Sequence, residues 1–170
     1  RLFRTAGELG LPVVLHLDVP FLPDSKGQPA YQEAWYGGTV ENLERAIRAC
    51  PDTIFIGHAP GFWREISNDA DGSPDFYPEG AIHAPGKLHR LMDSHANLYA
   101  DLSAGSALIA LQRDSGHARD FITTYADKLL FARDQYGGDL DAFLGSLDLP
   151  MEIQNKIYHQ NAERLVPASS

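Results

Sequence analysis

Residues 53–59 read TIFIGHA, a short apolar run rich in branched residues that ends in an ionisable side chain and a loop. Three other segments share this pattern: 11–18 (LPVVLHLD), 97–103 (NLYADLS) and 128–134 (KLLFARD). Branched apolar runs of this length, bounded by polar or turn-forming residues, predict buried β-strands. The four runs therefore predict four strands, each of which ends in polar groups.

Helical patterns fill the gaps between these strands. Thr39 is placed to cap a helix that ends before Pro51, with an apolar face made of Val40, Leu43, Ile47 and Cys50. Further helices are predicted near each of the strands, over residues 2–9, 88–92 and 121–125 and from about residue 150 onward. Alternation of strands and helices predicts parallel strands with the helices packed outside them.

The spacing of the four strands predicts a barrel. The polar strand ends are His16, His58, Asp101 and Asp134, and each interval between them is long enough for one βαβ unit of about 30 residues. A TIM barrel needs eight such units and typically ~250 residues, whereas this chain has 170 residues and four units. The chain also begins inside a helical pattern, at Arg1. We therefore expect one partial domain over 1–170, the C-terminal half of a TIM (β/α)₈ barrel, with the N-terminal strands missing.

Composition excludes several classes of protein. Of the 170 residues, 44% are hydrophobic and the net charge is −9, so the chain is globular and its acidity argues against binding nucleic acid. No apolar run approaches the ~18 residues that span a bilayer, so no membrane partner is expected. A single cysteine, Cys50, excludes a disulfide framework and fits a reducing compartment, from which we expect a cytoplasmic location.

The strand ends carry the side chains that are suited to chemistry. Because side chains alternate along a strand, His16, His58, Asp101 and Asp134 all face the inside of the predicted barrel at its C-terminal mouth. Two imidazoles and a carboxylate form a ligand set for a first-row metal, with Zn²⁺ the leading candidate. Each residue also has a structural explanation taken alone: packing for a histidine, loop hydrogen bonds for Asp101, and helix capping for Asp134.

The segment 60–85 is rich in Gly, Pro, Asp and Asn, and we expect a long loop that acts as a lid or a pocket wall. Phe62 and Trp63, at its start, either line a substrate pocket or anchor the loop. His83 is the other histidine with access to the mouth. For the remaining ones, His89, His95, His117 and His159, we expect solvated or packing roles.

Several of these segments resemble the amidohydrolase-2 family of metal-dependent hydrolases. The resemblance rests on PVVLH, FIGHAPGFW, NLYADLSAGSAL, KLLFARD and the ending KIYHQNAERLV, which together cover nearly the whole chain. It implies that His16 is the metal-binding histidine of the fifth barrel strand. It also implies that His58 binds a second metal in binuclear members, or orients and polarises the attacking water in mononuclear members. Asp134 matches the eighth-strand aspartate that contacts the metal and takes a proton from water.

The chain departs from the family pattern in two places. The family's His-x-His pair on the first barrel strand has no counterpart here. The usual Phe-Gly-Thr-Asp of the eighth strand reads Phe131-Ala132-Arg133-Asp134. Alternation turns Arg133 away from the mouth, but an ion pair between Arg133 and Asp134 would make that carboxylate a weaker general base. We therefore expect the isolated chain to be a poor catalyst.

Three functions follow from the resemblance. The first is a metal-dependent hydrolase of an amide, ester or lactone, with Asp134 and His58 as catalytic residues and a small-molecule substrate. The second is a non-oxidative decarboxylase with the same metal set, for which Arg64 is the candidate carboxylate anchor. The third is a catalytically incompetent domain that pairs with the missing N-terminal half or with a second copy. We expect the substrate to contact four residues: Trp63, Arg64, Asp101 and Ser103.

Overall fold

The computed structural model describes residues 1–19, 21–31, 38–71, 73, 75, 77–134 and 136–166. Its strands, in chain order, are β1 Val13–His16, β2 Phe21–Pro23, β3 Pro29–Tyr31, β4 Phe55–His58, β5 Leu98–Leu102 and β6 Leu129–Phe131. No helix among the described residues has the length and apolar character required to cross a membrane.

Nine α-helical segments are found in the described part of the chain. In chain order they are α1 Leu2–Glu8, α2 Val40–Ala49, α3 Pro60–Trp63, α4 Lys87–Ser94, α5 Ala104–Gln112, α6 Ser115–Thr124, α7 Asp139–Ser146, α8 Met151–Asn155 and α9 Asn161–Leu165. A π-helical stretch, Lys156–Gln160, joins α8 to α9, and 3₁₀ turns occupy Arg64–Ile66, Asn68–Ala70 and Ala126–Lys128. The predicted cap of α2 is confirmed, because the Thr39 hydroxyl accepts a hydrogen bond from the backbone N–H of Asn42 at 3.3 Å.

Four of the strands form one parallel sheet in the order β1-β4-β5-β6. The crossovers between neighbouring strands carry α2, then α4, then α5 and α6. Parallel strands joined by helical crossovers are the repeating unit of a barrel. The predicted α/β half barrel is therefore confirmed, with strands shorter than the apolar runs that predicted them. A separate antiparallel hairpin, β2 with β3, follows the first strand and was not predicted.

The two faces of the sheet pack differently. The outer face, with Phe55 and Leu98, joins a large core that includes the apolar sides of α2, α4 and α6. The inner face forms a smaller cluster of Ile56, Tyr99 and Leu130, packed against Ile54 and Leu165. These inner residues are the ones that strand alternation assigns to the inside of a barrel. The edge strand β1 leaves this face open, because Val14 is 57% exposed.

The segment 60–85, predicted to be a loop, begins as buried helical structure. Phe62, Trp63 and Ile66 lie in the main core, within α3 and the 3₁₀ turn that follows it. The Phe62 ring fits because Gly57 lacks a side chain: a Cβ at that position would lie 2.1 Å from the ring. The prediction of an irregular loop is therefore wrong for the start of the segment, since aromatic packing overrides its Gly and Pro content. The role of the segment 60–85 as a lid or a pocket wall stays a prediction.

A charge cluster between α2 and α4 predicts how stability depends on pH. Both terminal nitrogens of Arg90 donate to the two carboxylate oxygens of Glu44 at 2.8 Å. Arg48 donates to Glu44 at 2.6 Å. The hydrogen bonds from Arg90, followed by those from His95, lower the pKa of Glu44 to about 2.

We expect Glu44→Gln to lower the free energy of unfolding by about 1 kcal/mol at pH 7. Because the pKa of Glu44 is depressed in the folded state, its stabilisation is complete above the unfolded pKa near 4.5 and is lost as the pH falls towards 2. Urea unfolding of both chains across this pH range measures the difference, which should vanish at the acid end. The matched control is Glu8→Gln, at an exposed position in α1. A difference that stays constant with pH would contradict the assignment.

Candidate functional site

The two strand-end histidines lie side by side. His16 and His58 are direct partners in the register between β1 and β4. Because parallel neighbours in register point to the same face, their rings meet, with centroids 5.3 Å apart and ring planes at 55°. His16 is exposed at the sheet edge and His58 is partly buried. The predicted proximity of the two imidazoles at the C-terminal end of the sheet is therefore observed.

Asp134 approaches the same point from the far side of the sheet. It follows β6, and the backbone N–H of Ala132 donates to the carbonyl of Leu102 at 3.0 Å, which keeps the chain beside β5 after the strand ends. The carboxylate oxygen Oδ2 of Asp134 lies 3.8 Å from Nε2 of His58. The structure thus brings together the ends of β1, β4 and β6 around His58.

The other nitrogen of His58 faces Asp101, at the end region of β5. Nδ1 of His58 lies 3.0 Å from both carboxylate oxygens of Asp101. The Ser103 hydroxyl donates to Oδ2 of Asp101 at 2.9 Å and also lies 3.1 Å from Nδ1 of His58. The hydrogen bond that His58 makes with the Asp101 carboxylate raises the pKa of His58, although burial acts to lower it. His58 is consequently held between two carboxylates, one at each ring nitrogen.

The segment HAPGFW, residues 58–63, contacts the ends of the neighbouring strands and fixes them relative to one another. The indole N–H of Trp63 donates to the backbone carbonyl of Asp101 at 3.1 Å, so the buried ring fixes the end of β5. The N–H of Gly61 donates to the carbonyl of Leu17 at 2.8 Å. A Cβ on Gly61 would lie 2.2 Å from the carbonyl oxygen of Asp18, so only glycine permits this approach. One short segment therefore ties together the ends of β1, β4 and β5.

Of the four residues expected to contact substrate, two are committed to structural contacts. Trp63 is 1% exposed, within the main core. Arg64 is 8% exposed, and its guanidinium donates to the carbonyls of Ala70 at 3.0 Å and Ser73 at 2.6 Å. Asp101 and Ser103 lie at the strand ends but bond to His58 and to each other. Contact of any of these four residues with substrate stays a prediction.

The side chains at the strand ends supply part of a metal-ligand set. Protein ligands lie about 2.0–2.2 Å from Zn²⁺, so a single ion fits between Nε2 of His58 and Oδ2 of Asp134 at their separation of 3.8 Å. A hydrogen bond donated by the opposite ring nitrogen to a carboxylate, as Nδ1 of His58 donates to Asp101, is typical of histidine ligands. Among the described residues, no group of three His, Cys, Asp or Glu side chains is arranged to hold an ion. The described residues thus supply two donors to one ion, Nε2 of His58 and Oδ2 of Asp134. His16 lies beside the ring of His58.

Arg133 does not disturb this end of the sheet. It is exposed, and in the described part of the chain no salt bridge joins it to Asp134. The orientation of Arg133 away from the mouth stays a prediction. The substitution of arginine in the family pattern therefore leaves the carboxylate of Asp134 open towards His58.

Sequence reasoning missed the role of Asp101 as the partner of His58. It placed Asp101 at the mouth but read it as a ligand, a substrate contact or a loop-binding residue. The signal was present in the pattern Asp-x-Ser on a strand next to the histidine strand, but the strand order had to be known first. The adjacency of β4 and β5 in the sheet brings Asp101 within reach of His58.

The sequence matches a protein-family model, and the fold matches several solved structures. The sequence model of the amidohydrolase family matches residues 1–168. A TIM-barrel protein from Bordetella bronchiseptica matches with 20% identity and a TM-score of 0.57, over 96% of this chain and 48% of its own. A protein described as a 2-pyrone-4,6-dicarboxylic acid hydrolase, from Pseudomonas putida, matches with 16% identity and a TM-score of 0.58, over 96% of this chain and 54% of its own.

A 2,6-dihydroxybenzoate decarboxylase from Rhizobium matches with 18% identity and a TM-score of 0.50, over 94% of this chain and 52% of its own. At these identities the solved structures establish the fold, and this chain spans about half of their length. No curated protein sequence matches the chain significantly. Because the family match extends from the first helix to the C-terminal helices, it covers every strand end described above. The chain belongs to the amidohydrolase family.

Proposed function

We propose that this chain supplies half of the active site of a metal-dependent hydrolase that acts on the carbonyl group of a small molecule. The observation that carries the proposal is the position of His58, with Asp101 at Nδ1 and Asp134 at Nε2. A histidine oriented by one carboxylate and facing another at the C-terminal end of parallel strands is suited to acid–base work or to metal binding.

The residues proposed to hold the metal are His16, His58 and Asp134, and Zn²⁺ is the proposed ion. Nitrogen and carboxylate donors of this kind suit Zn²⁺ and other first-row metals. When bound, such an ion polarises a carbonyl group and lowers the pKa of a coordinated water to ~7. Since the described residues fit two donors to one ion, water would complete its coordination in this chain, and the rest of a complete barrel would supply further ligands.

Asp134 is proposed to accept the proton of the attacking water. Its carboxylate is exposed at the mouth and oriented towards His58, where water and substrate have access. As the water oxygen bonds to the carbonyl carbon, its proton passes to Asp134, and the bond from that carbon to the leaving nitrogen or oxygen then breaks. Asp134 then gives this proton to the leaving group, so the products are a carboxylic acid and an amine or alcohol, and the carboxylate is restored.

Asp101 and Ser103 are proposed to position His58 rather than to react. The carboxylate of Asp101 accepts from Nδ1–H of His58, which leaves Nε2 directed at the mouth. The Ser103 hydroxyl holds Oδ2 of Asp101, and Ser103 is 2% exposed. With its ring fixed in this way, neutral His58 would bind a metal through the lone pair of Nε2, whereas protonated His58 would polarise the substrate carbonyl by donating Nε2–H.

Two other functions remain as alternatives to the hydrolase. A non-oxidative decarboxylase can use the same strand-end residues, but Arg64, its predicted carboxylate anchor, is bonded to loop carbonyls. A catalytically incompetent domain was proposed partly because of Arg133, which forms no salt bridge with Asp134 in the described part of the chain. Both observations favour the hydrolase.

The experiment is a pair of product assays on the purified chain with added Zn²⁺, with and without a chelator. One assay follows the acid formed from a panel of lactones, esters and amides, and the other follows CO₂ released from aromatic acids. We expect slow hydrolysis that the chelator abolishes. Metal-dependent release of CO₂ without hydrolysis would transfer the assignment to the decarboxylase. The absence of both products, in a chain that binds the ion, would support the incompetent domain.

A further inference from the structure

A second pair of histidines lies on the outer, helical layer. His89 on α4 and His117 on α6 direct their Nε2 atoms at one another, 3.1 Å apart. The ring centroids are 5.0 Å apart and the ring planes lie at 74°. Both rings are partly exposed. The residues belong to helices packed outside the sheet, whereas the site described above is built on the strand ends.

We propose that His89 and His117 form a binding site for a divalent transition-metal ion such as Zn²⁺. An ion placed 2.0–2.1 Å from each Nε2 would have the two nitrogens at an angle of about 100°, which suits neighbouring ligands in tetrahedral or octahedral coordination. The two imidazoles are the protein ligands and water completes the coordination. This proposal does not depend on the proposed hydrolase.

The ring of His89 is oriented as a ligand requires. The backbone of Ile66 lies near this imidazole and acts to raise its pKa. Because Nε2 of His89 faces His117, Nδ1 is the ring nitrogen left for that backbone. A backbone carbonyl on the opposite ring nitrogen is a common partner of metal-binding histidines.

Aromatic neighbours fix both rings in place. Phe121 lies edge-on to His89 with centroids 5.1 Å apart, and it stacks on His117 at 6.4 Å and 21°. Tyr125 contacts the ring of His89 and donates its hydroxyl to Asp93 at 2.9 Å. Because packing already restricts the rings, an ion would bind with little loss of side-chain freedom.

The local charge favours a cation. The negative charge of Asp93 acts to raise the pKa of His89. Asp114 and Asp120 act to raise the pKa of His117, whereas the positive charge of Arg113 acts to lower it. Burial lowers the pKa of both imidazoles. At a separation of 3.1 Å one Nε2–H donates to the other Nε2, so an ion binds here by displacing that proton. Nδ1 of His117 is buried without a hydrogen-bond partner among the described residues.

The test is a titration of the full chain with Zn²⁺, followed by NMR of the imidazole nitrogens. We expect the Nε2 resonances of His89 and His117 to shift together and to saturate at the same concentration. Zn²⁺ should also raise the unfolding temperature, because the ion links α4 to α6. If Zn²⁺ shifts other histidines while leaving these two Nε2 atoms unchanged, the proposal is wrong.

Variants supply an independent measurement by calorimetry. His89→Gln and His117→Gln should each weaken binding at this site at least about 10-fold, which corresponds to about 1.4 kcal/mol. The matched control is His159→Gln, since His159 is an exposed histidine on the C-terminal helices and bonds to Glu163 at 3.3 Å. Equal Zn²⁺ affinity in all three variants and the parent chain would overturn the proposal. Should a variant fail to fold, the NMR measurement on the parent chain still decides.

Discussion

Asp134→Asn is expected to reduce metal-dependent turnover by at least about 100-fold, or to the background of the assay. General acid–base catalysis by a positioned side chain contributes typically 10²–10⁴-fold, and an amide in place of the carboxylate does not take up the proton of water. The two side chains have nearly the same shape, so the contact of residue 134 with His58 is the feature that changes. The measurement is kcat/KM on a substrate identified by the product assays, at saturating Zn²⁺.

The control for this variant is Asp148→Asn. Asp148 is an aspartate with a side chain that is 97% exposed, and it lies 4.0 Å from Arg119. Its backbone φ of 50° is also tolerated by asparagine. We expect turnover and the unfolding temperature of this control to match those of the parent chain. Equal turnover in Asp134→Asn and the parent chain would remove Asp134 from the mechanism.

Trp63→Ala is expected to lower the free energy of unfolding by about 3–5 kcal/mol, as large-to-small changes of buried aromatic residues do. The ring is 1% exposed and makes edge contacts with Phe62 at 5.7 Å and Phe121 at 6.1 Å. The variant also leaves the carbonyl of Asp101 without the indole donor. Denaturant unfolding followed by circular dichroism measures the change.

Two further variants separate packing from hydrogen bonding at Trp63. Trp63→Phe keeps most of the ring contacts but removes the donor to Asp101, and we expect it to cost about 1–3 kcal/mol. Tyr136→Ala, at a fully exposed aromatic residue, is expected to change stability by less than about 0.5 kcal/mol. If Trp63→Ala changed the free energy of unfolding as little as Tyr136→Ala, a core position for Trp63 would be contradicted. The predicted role of Trp63 in lining a substrate pocket would then be favoured.

The sheet was predictable because its strands carry their own signals. Four branched apolar runs ending in polar residues indicated parallel strands, and period-two alternation placed His16 and His58 on one face. The register between β1 and β4 then makes the two histidines neighbours. The cap at Thr39 was predictable for a similar reason, since capping depends on residues close together in the sequence.

Other elements escaped sequence reasoning for physical reasons. The sequence of α5, AGSALIALQ, lacks a clear one-sided apolar pattern, because the neighbours of its buried face, Leu108 and Ile109, are apolar as well. His89 and His117 are 28 residues apart in the sequence, and their contact depends on how α4 and α6 pack against each other. No local pattern encodes such docking, and the role of Asp101 as the partner of His58 depends on strand order in the same way.

The central claim is that parallel strands bring His58 and Asp134 to one metal site at the C-terminal end of the sheet. Crystals of the chain grown with Zn²⁺ test it through anomalous scattering at the zinc edge. The account predicts a peak in contact with both Nε2 of His58 and Oδ2 of Asp134, which disappears in the Asp134→Asn variant. A folded chain with no anomalous peak at these atoms, at Zn²⁺ concentrations that saturate the chain in solution, would contradict it.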